Sequence, residues 1–273
     1  MRLNWDVNLL MLSALLVAVA YGQAVEDRSG KTAATVSKDT IADVIAKARE
    51  DTSESIYYVE QIARARAVQA VPMLEKKFAR TKDPLDKGKI AQVLIKLGDK
   101  NDTYWNYLVD LVTPALESDA PDFMNLDPEA EIGTDPSPQF IAWANAHNVS
   151  ANGPDGNALE NFVYRFPGRV LLLALTGDQR AIPLLRRGLS SPNHMIEIAA
   201  ANGLAEIQDS GSIAFIIEAC KRAPAAAAPA LAESLVYFND AEAQNAVDTY
   251  VPRERARILR ESIAQGNKTP LSY

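Results

Sequence analysis

Apolar positions along this chain fall at helical spacing, and one apolar phrase returns at a fixed interval. An alanine is followed three residues later by leucine, then by a large apolar residue, then by an aspartate in a turn. Ala91-Leu94-Leu97-Asp99, Ala201-Leu204-Ile207-Asp209 and Ala232-Leu235-Phe238-Asp240 share this spacing, and Leu172-Leu175-Asp178 is a looser copy. The last three aspartates lie 31 residues apart. A period of this size marks a helical array, in which a unit cannot bury its apolar face alone and must stack on its neighbours.

The pattern predicts a succession of helices. Ile41, Val44, Ile45 and Ala48 define the face of the first, which Ser37 or Asp39 can cap. Residues 62–78 read as one outer helix, 86–97 as an inner helix closed by Gly98-Asp99, and Trp105, Leu108, Val109 and Val112 as the face of another. From Arg169 the array resumes. Ala181-Ile182-Pro183-Leu184-Leu185 repeats Ala70-Val71-Pro72-Met73-Leu74. Proline in a first turn forfeits no intrahelical hydrogen bond, so both phrases predict helix starts. Residues 253–263, with four arginines, suit a polar terminal helix, and 268–273 should fray.

Residues 113–168 interrupt the pattern. They hold seven of the fifteen prolines and nine carboxylates against Arg165, a net charge of −8 compared with −7 for the whole chain. Short helices at 138–146 and 158–164 fit within this segment. Two readings stay open, a solvated acidic loop or an element that binds a partner or cation, and the segment is expected to be dispensable for folding but needed for partner choice. For the second, the candidate residues are Asp119, Asp122, Asp127, Glu129 and Glu131.

At 48% hydrophobic and only 7% aromatic, the composition suits thin helical layers packed through Ala, Leu, Ile and Val. The acidic balance argues against nucleic acid, whose recognition needs a basic stripe. Leu9 to Ala20 is apolar or small apart from Ser13, and Ala18-Val19-Ala20 has the spacing a signal peptidase reads. Residues 1–22 therefore read as a secretory signal, either cleaved or kept as an anchor, with the periplasm or exterior as destination. The lone Cys220 offers no disulfide framework and falls on an apolar helix face, as a small core residue would.

The residues Leu175-Thr176-Gly177-Asp178, Ala181-Ile182-Pro183-Leu184-Leu185, Ser191-Pro192-Asn193, Ala199-Ala200-Ala201 and Leu204-Ala205-Glu206-Ile207 resemble HEAT-like repeats of the short phycobilisome-lyase type. The resemblance spans roughly 55–112 and 168–260. It implies an all-α, right-handed solenoid of antiparallel helix pairs, here with an acidic, proline-rich insertion. The expected divisions are a signal at 1–22, a lead-in and first helix at 23–52, repeats at 53–112, the insertion at 113–168, repeats at 169–264 and a tail at 265–273. Some HEAT-like proteins bind iron through His-Glu dipeptides, but here His147 precedes Asn148 and His194 precedes Met195.

No Gly-x-Ser-x-Gly elbow, phosphate-binding loop or paired metal-ligand spacing occurs. The sequence therefore nominates no catalytic, cofactor-binding or metal-ligating residue. The expectation is a non-catalytic scaffold that grips a protein or peptide on the concave face of a solenoid. The alternative is an enzyme or accessory factor, lyase-like or metal-dependent, with a site between the acidic insertion and that face.

Overall fold

The computed structural model describes residues 40–52, 54–124, 136–150 and 160–271. The expected signal segment, Ser37 and Asp39 lie outside them. The described residues are all-helical, with thirteen α-helices and no strand. None of these helices is long and apolar enough to cross a membrane. The chain divides into two compact units, with the boundary between Leu111 and Val112.

In the first unit, α1 (Ile41–Arg49) starts at Thr40. The Thr40 hydroxyl accepts from the Asp43 N–H, while the Asp43 carboxylate accepts from the Thr40 N–H, a reciprocal cap that satisfies two otherwise orphaned donors. Sequence reasoning placed one helix over 62–78. The structure has two, α2 (Ser55–Arg64) and α3 (Val71–Arg80), separated by a turn with Arg66 at φ +50° and a 3-10 turn at Val68–Ala70. Pro72 accounts for the break, since within a continuous helix it would lose a hydrogen bond and strike the carbonyl four residues earlier. In α4 (Pro84–Lys96) the Asp83 carboxylate accepts from the Leu85 and Asp86 N–H groups. Gly98 at φ +93° ends it, with the Asp99 N–H returning to the Leu94 carbonyl. Phe78 meets Tyr104 and Tyr107 edge-on, and the Tyr107 hydroxyl donates to the Pro84 carbonyl at 3.1 Å. Lys77 donates from Nζ to the Glu50 carbonyl, which ties α3 to the end of α1.

Helix α5 (Asp102–Leu116) carries the division between the units. In the second unit follow α6 (Pro138–Ala146), a π-turn (Glu160–Arg165) running into α7 (Phe166–Leu175), α8 (Ala181–Gly188) and α9 (His194–Ile207). After a 3-10 turn come α10 (Ile213–Arg222), α11 (Ala228–Glu233) with its 3-10 extension Ser234–Tyr237, α12 (Ala241–Tyr250) and α13 (Arg253–Ala264). Helix α9 packs on α7, α8 and α11, while α10 and α12 both pack on α11. The recurring phrase lines these contacts: Ala201, Leu204, Ala232 and Leu235 are fully buried, as are Ala91 and Leu94 in the first unit. Close approach needs small residues too. A Cβ on Gly203 would stand 3.0 Å from Ala174 Cβ, with the Leu185 side chain equally near.

The proline-rich segment differs from a solvated loop. Ala120, Phe123, Phe140, Ala144, Phe162 and Val163 form a buried cluster, with Trp143 and Phe166 packed against it. Phe140 is fully buried, and its ring lies 4.9 Å from Phe123 and 5.2 Å from Phe162. Ser137 caps α6, and its hydroxyl donates to the Asp122 carbonyl at 2.7 Å. Five aromatic side chains within this segment, Phe123, Phe140, Trp143, Phe162 and Phe166, supply enough apolar area for a core of its own.

Candidate functional site

Two places in the second unit concentrate chemistry. The first begins at Asp122, which precedes the cluster residue Phe123. Its carboxylate accepts from the His194 N–H at 2.7 Å and pairs with His194 Nδ1 at 2.5 Å. His194 is the first residue of α9, so a negative charge rests where helical N–H groups are unpaired. The other ring nitrogen, Nε2, stands 3.7 Å from Glu197, whose second oxygen stands 3.7 Å from Arg222 Nη2. Arg222 also donates to the Leu189 carbonyl. The side chains of Asp122 and His194 are only 17% and 20% exposed, and that of Glu197 5%.

Burial pushes Glu197 up from 4.5 to about 7, against the opposing pull of His194 and Arg222. Burial alone would lower His194, but the Asp122 bond and charge, helped by Glu197, hold it above its ordinary value. Glu197 thus exchanges its proton near neutrality. Cys220 lies close by on α10, and burial pushes its thiol up to about 12, so no thiolate forms there at physiological pH. Beside the cluster, the buried Asn193 amide nitrogen has no hydrogen-bond partner, while its oxygen caps α9.

The second place is a cleft of about 90 Å³ between four helices of this unit. Leu171 of α7, Ile198 of α9, Ala230 of α11 and Leu259 of α13 form its apolar part. Asn202, Tyr237 and the Glu233–Arg255 pair supply polarity. That pair is bidentate, at 2.8 and 2.7 Å, which fixes both side chains. Burial, with nearby Glu233, pushes the Tyr237 phenol up, leaving a neutral hydrogen-bonding group. Pro270 and Leu271 close one side, and the Leu271 N–H donates to Glu206 at 3.1 Å. The tail expected to fray is therefore docked through Leu271, because a leucine side chain gains more in an apolar cleft than in water.

Of the five acidic candidates, Asp127, Glu129 and Glu131 lie outside the described residues. Asp119 is 74% exposed and accepts from Trp143 Nε1 at 2.8 Å, with His147 stacked on the same ring. Asp122 turns inward to His194. The two described candidates thus serve different contacts and do not form one open patch. His194 and Glu197 were not singled out as functional, and neither spacing nor motif could have paired Asp122 with a residue 72 positions away. Among the described residues, no group of three or more His, Cys, Asp or Glu is arranged to hold a metal ion. No family model, curated protein or solved structure matches the chain.

Proposed function

We propose that this chain is a HEAT-like helical-repeat scaffold, acting outside the cytoplasm, whose second unit binds an extended segment of a protein partner along its inner helices. The observation that carries this reading is the cleft between α7, α9, α11 and α13, one side of which is closed by the chain's own Pro270–Leu271 segment, with Leu271 buried. Its size favours a side chain over a cofactor, since small-molecule sites enclose roughly 300–1,000 Å³. The recurring buried Ala-x2-Leu phrase supports the repeat assignment, and the Leu9–Ala20 run supports export.

A photo-crosslinking residue at Asn202 tests the reading, with the same residue at exposed Glu218 of α10 as the control. Adducts to one defined protein from Asn202, absent from Glu218, are the expected result in cells that make the protein natively. Equal labelling from both positions, or none from Asn202, overturns it. A second reading, an enzyme or accessory factor, draws on Glu197, whose carboxyl burial pushes up to about 7, beside the Asp122–His194 pair between the acidic segment and α9. Loss of an identified activity in both Glu197→Gln and His194→Gln, with folding intact, would favour it.

A further inference from the structure

We infer that residues 269–271 are an internal occupant of the inner cleft, and that a partner segment of like chemistry, a proline followed by a leucine-sized apolar residue, must displace them to bind. This inference rests on the peptide-binding reading above and adds both the ligand's chemistry and a self-occluded resting state.

The docking is built into the local sequence. Helix α13 ends with the Gly266 N–H returning to the Ile263 carbonyl and the Asn267 N–H to the Ser262 carbonyl. Gly266 sits at φ +114°, a conformation that side-chain-bearing residues rarely adopt, and the chain there reverses over the end of its own helix. The Asn267 amide also donates to the Ser262 hydroxyl at 2.7 Å. Residues 265–268 are exposed, Thr269 and Pro270 half-buried, and Leu271 buried at 5%. The segment thus touches down only at its far end, where the Leu271 side chain meets the cleft and its N–H meets Glu206.

Those contacts define what the cleft accepts. Pro270 and Leu271 sit in a turn, and proline, lacking an N–H, enters without leaving a donor buried. The following residue supplies one N–H to Glu206 and one branched apolar side chain. The rigid Glu233–Arg255 pair and Tyr237 stand ready for a polar group on a longer partner. Retention of the internal segment is weak by the same accounting. One buried leucine and one hydrogen bond stand against the ordering entropy of several residues, which is of similar size. A segment held so lightly is open to competition. Occupancy of the cleft in cis lowers the apparent affinity for a partner by the fraction of molecules that are open.

The test uses a fluorescein-labelled peptide of residues Asn267–Tyr273, titrated by anisotropy against the full wild-type chain and Leu271→Asp. The aspartate disfavours the apolar cleft and is repelled by Glu206, so the internal segment leaves. Leu271→Ser serves if Leu271→Asp does not melt cooperatively. The expected result is binding to the variant about two- to fivefold tighter than to wild type, as a lightly held segment implies, and lost again in Leu271→Asp/Glu206→Ala. Equal affinity for wild type and variant overturns self-occlusion while leaving the cleft as a binding site. No binding to a variant that keeps the parental helical signal overturns the assigned ligand chemistry. Concentration-dependent dimers of the wild type that vanish in Leu271→Asp overturn occupancy in cis. Crosslinking from Asn202 judges the peptide-binding reading independently of all these outcomes.

Discussion

Replacing Glu197 with glutamine should stabilise the protein at alkaline pH and leave it nearly unchanged in mild acid. In the folded state the carboxyl releases its proton at about 7, compared with 4.5 as its ordinary value, because burial disfavours the charged form. A raised acid pKa means that the folded chain binds more protons than the unfolded chain between those two values. Stability therefore falls as pH rises through that window and levels off above about pH 8. At roughly 1.4 kcal/mol per unit, a shift of about 2.5 units corresponds to about 3 kcal/mol withheld from the wild type at high pH. Glutamine keeps the shape of the protonated acid and cannot ionise, so it removes this term. Arg222 retains the Leu189 carbonyl and partial exposure, which limits the cost of losing its distant ion pair. Urea unfolding at pH 5, 6, 7 and 8, followed by helical circular dichroism, gives both stability curves. The variant should match the parent at pH 5 and exceed it by about 1–3 kcal/mol at pH 8. A constant difference across pH, or a variant less stable at pH 8, would refute the reasoning.

Other predictions concern the core and the neighbouring groups. Leu204→Ala should cost about 2–5 kcal/mol in urea unfolding, since Leu204 is fully buried and its site cannot collapse; under about 0.5 kcal/mol would contradict the packing. Phe140→Ala should cost about 3–5 kcal/mol if the proline-rich segment is core, and near nothing if it is solvated. His194 should contribute stability fully below pH 6.5 and lose it as pH rises through its elevated folded value, so His194→Gln should flatten the parental decline around neutrality. Cys220 should resist iodoacetamide at pH 8 until denaturant is added, because burial keeps it a thiol.

Much of the helical layout was legible because a single phrase does the same work each time. Leu94, Leu204 and Leu235 stand three residues after a fully buried alanine and are themselves fully buried, so periodicity and burial coincide. The aspartate after each phrase was legible as a turn residue. Asp178 accepts from the Arg180 N–H, Asp209 from Arg186, and Asp240 from the first N–H groups of α12. What escaped reading has no period. Phe123, Phe140 and Phe162 lie at irregular intervals among prolines and carboxylates, where local composition reads as solvated although the rings meet in space. Asp122 looked like one more surface acid, and its inward turn depends on a helix N-terminus supplied much later in the chain. Leu271 had no repeat to announce it. The helix start at Pro72 was read from its phrase, but the apolar spacing over 62–78 hid the end of the preceding helix at Arg64.

Sequence separation sorts the bonds of the second unit into two groups. Links between helices two apart in the chain span 22 to 33 residues, as in Arg186 to Asp209 and Ser212, Arg222 to Leu189, and Arg255 to Glu233. Three others span 65 to 72: Asp122 to His194, Glu117 to Arg187, and Glu206 to Leu271. Closing the longer loops costs about 1 kcal/mol more by the logarithmic rule, and they close onto helices that must already be in place. The smaller closure cost favours pairing of the nearby helices over fastening of the acidic segment and of residues 269–271. The Asp122–His194 and Glu206–Leu271 bonds thus fasten distant chain segments onto helices held by many shorter links, the kind of contact that opens locally at the least cost.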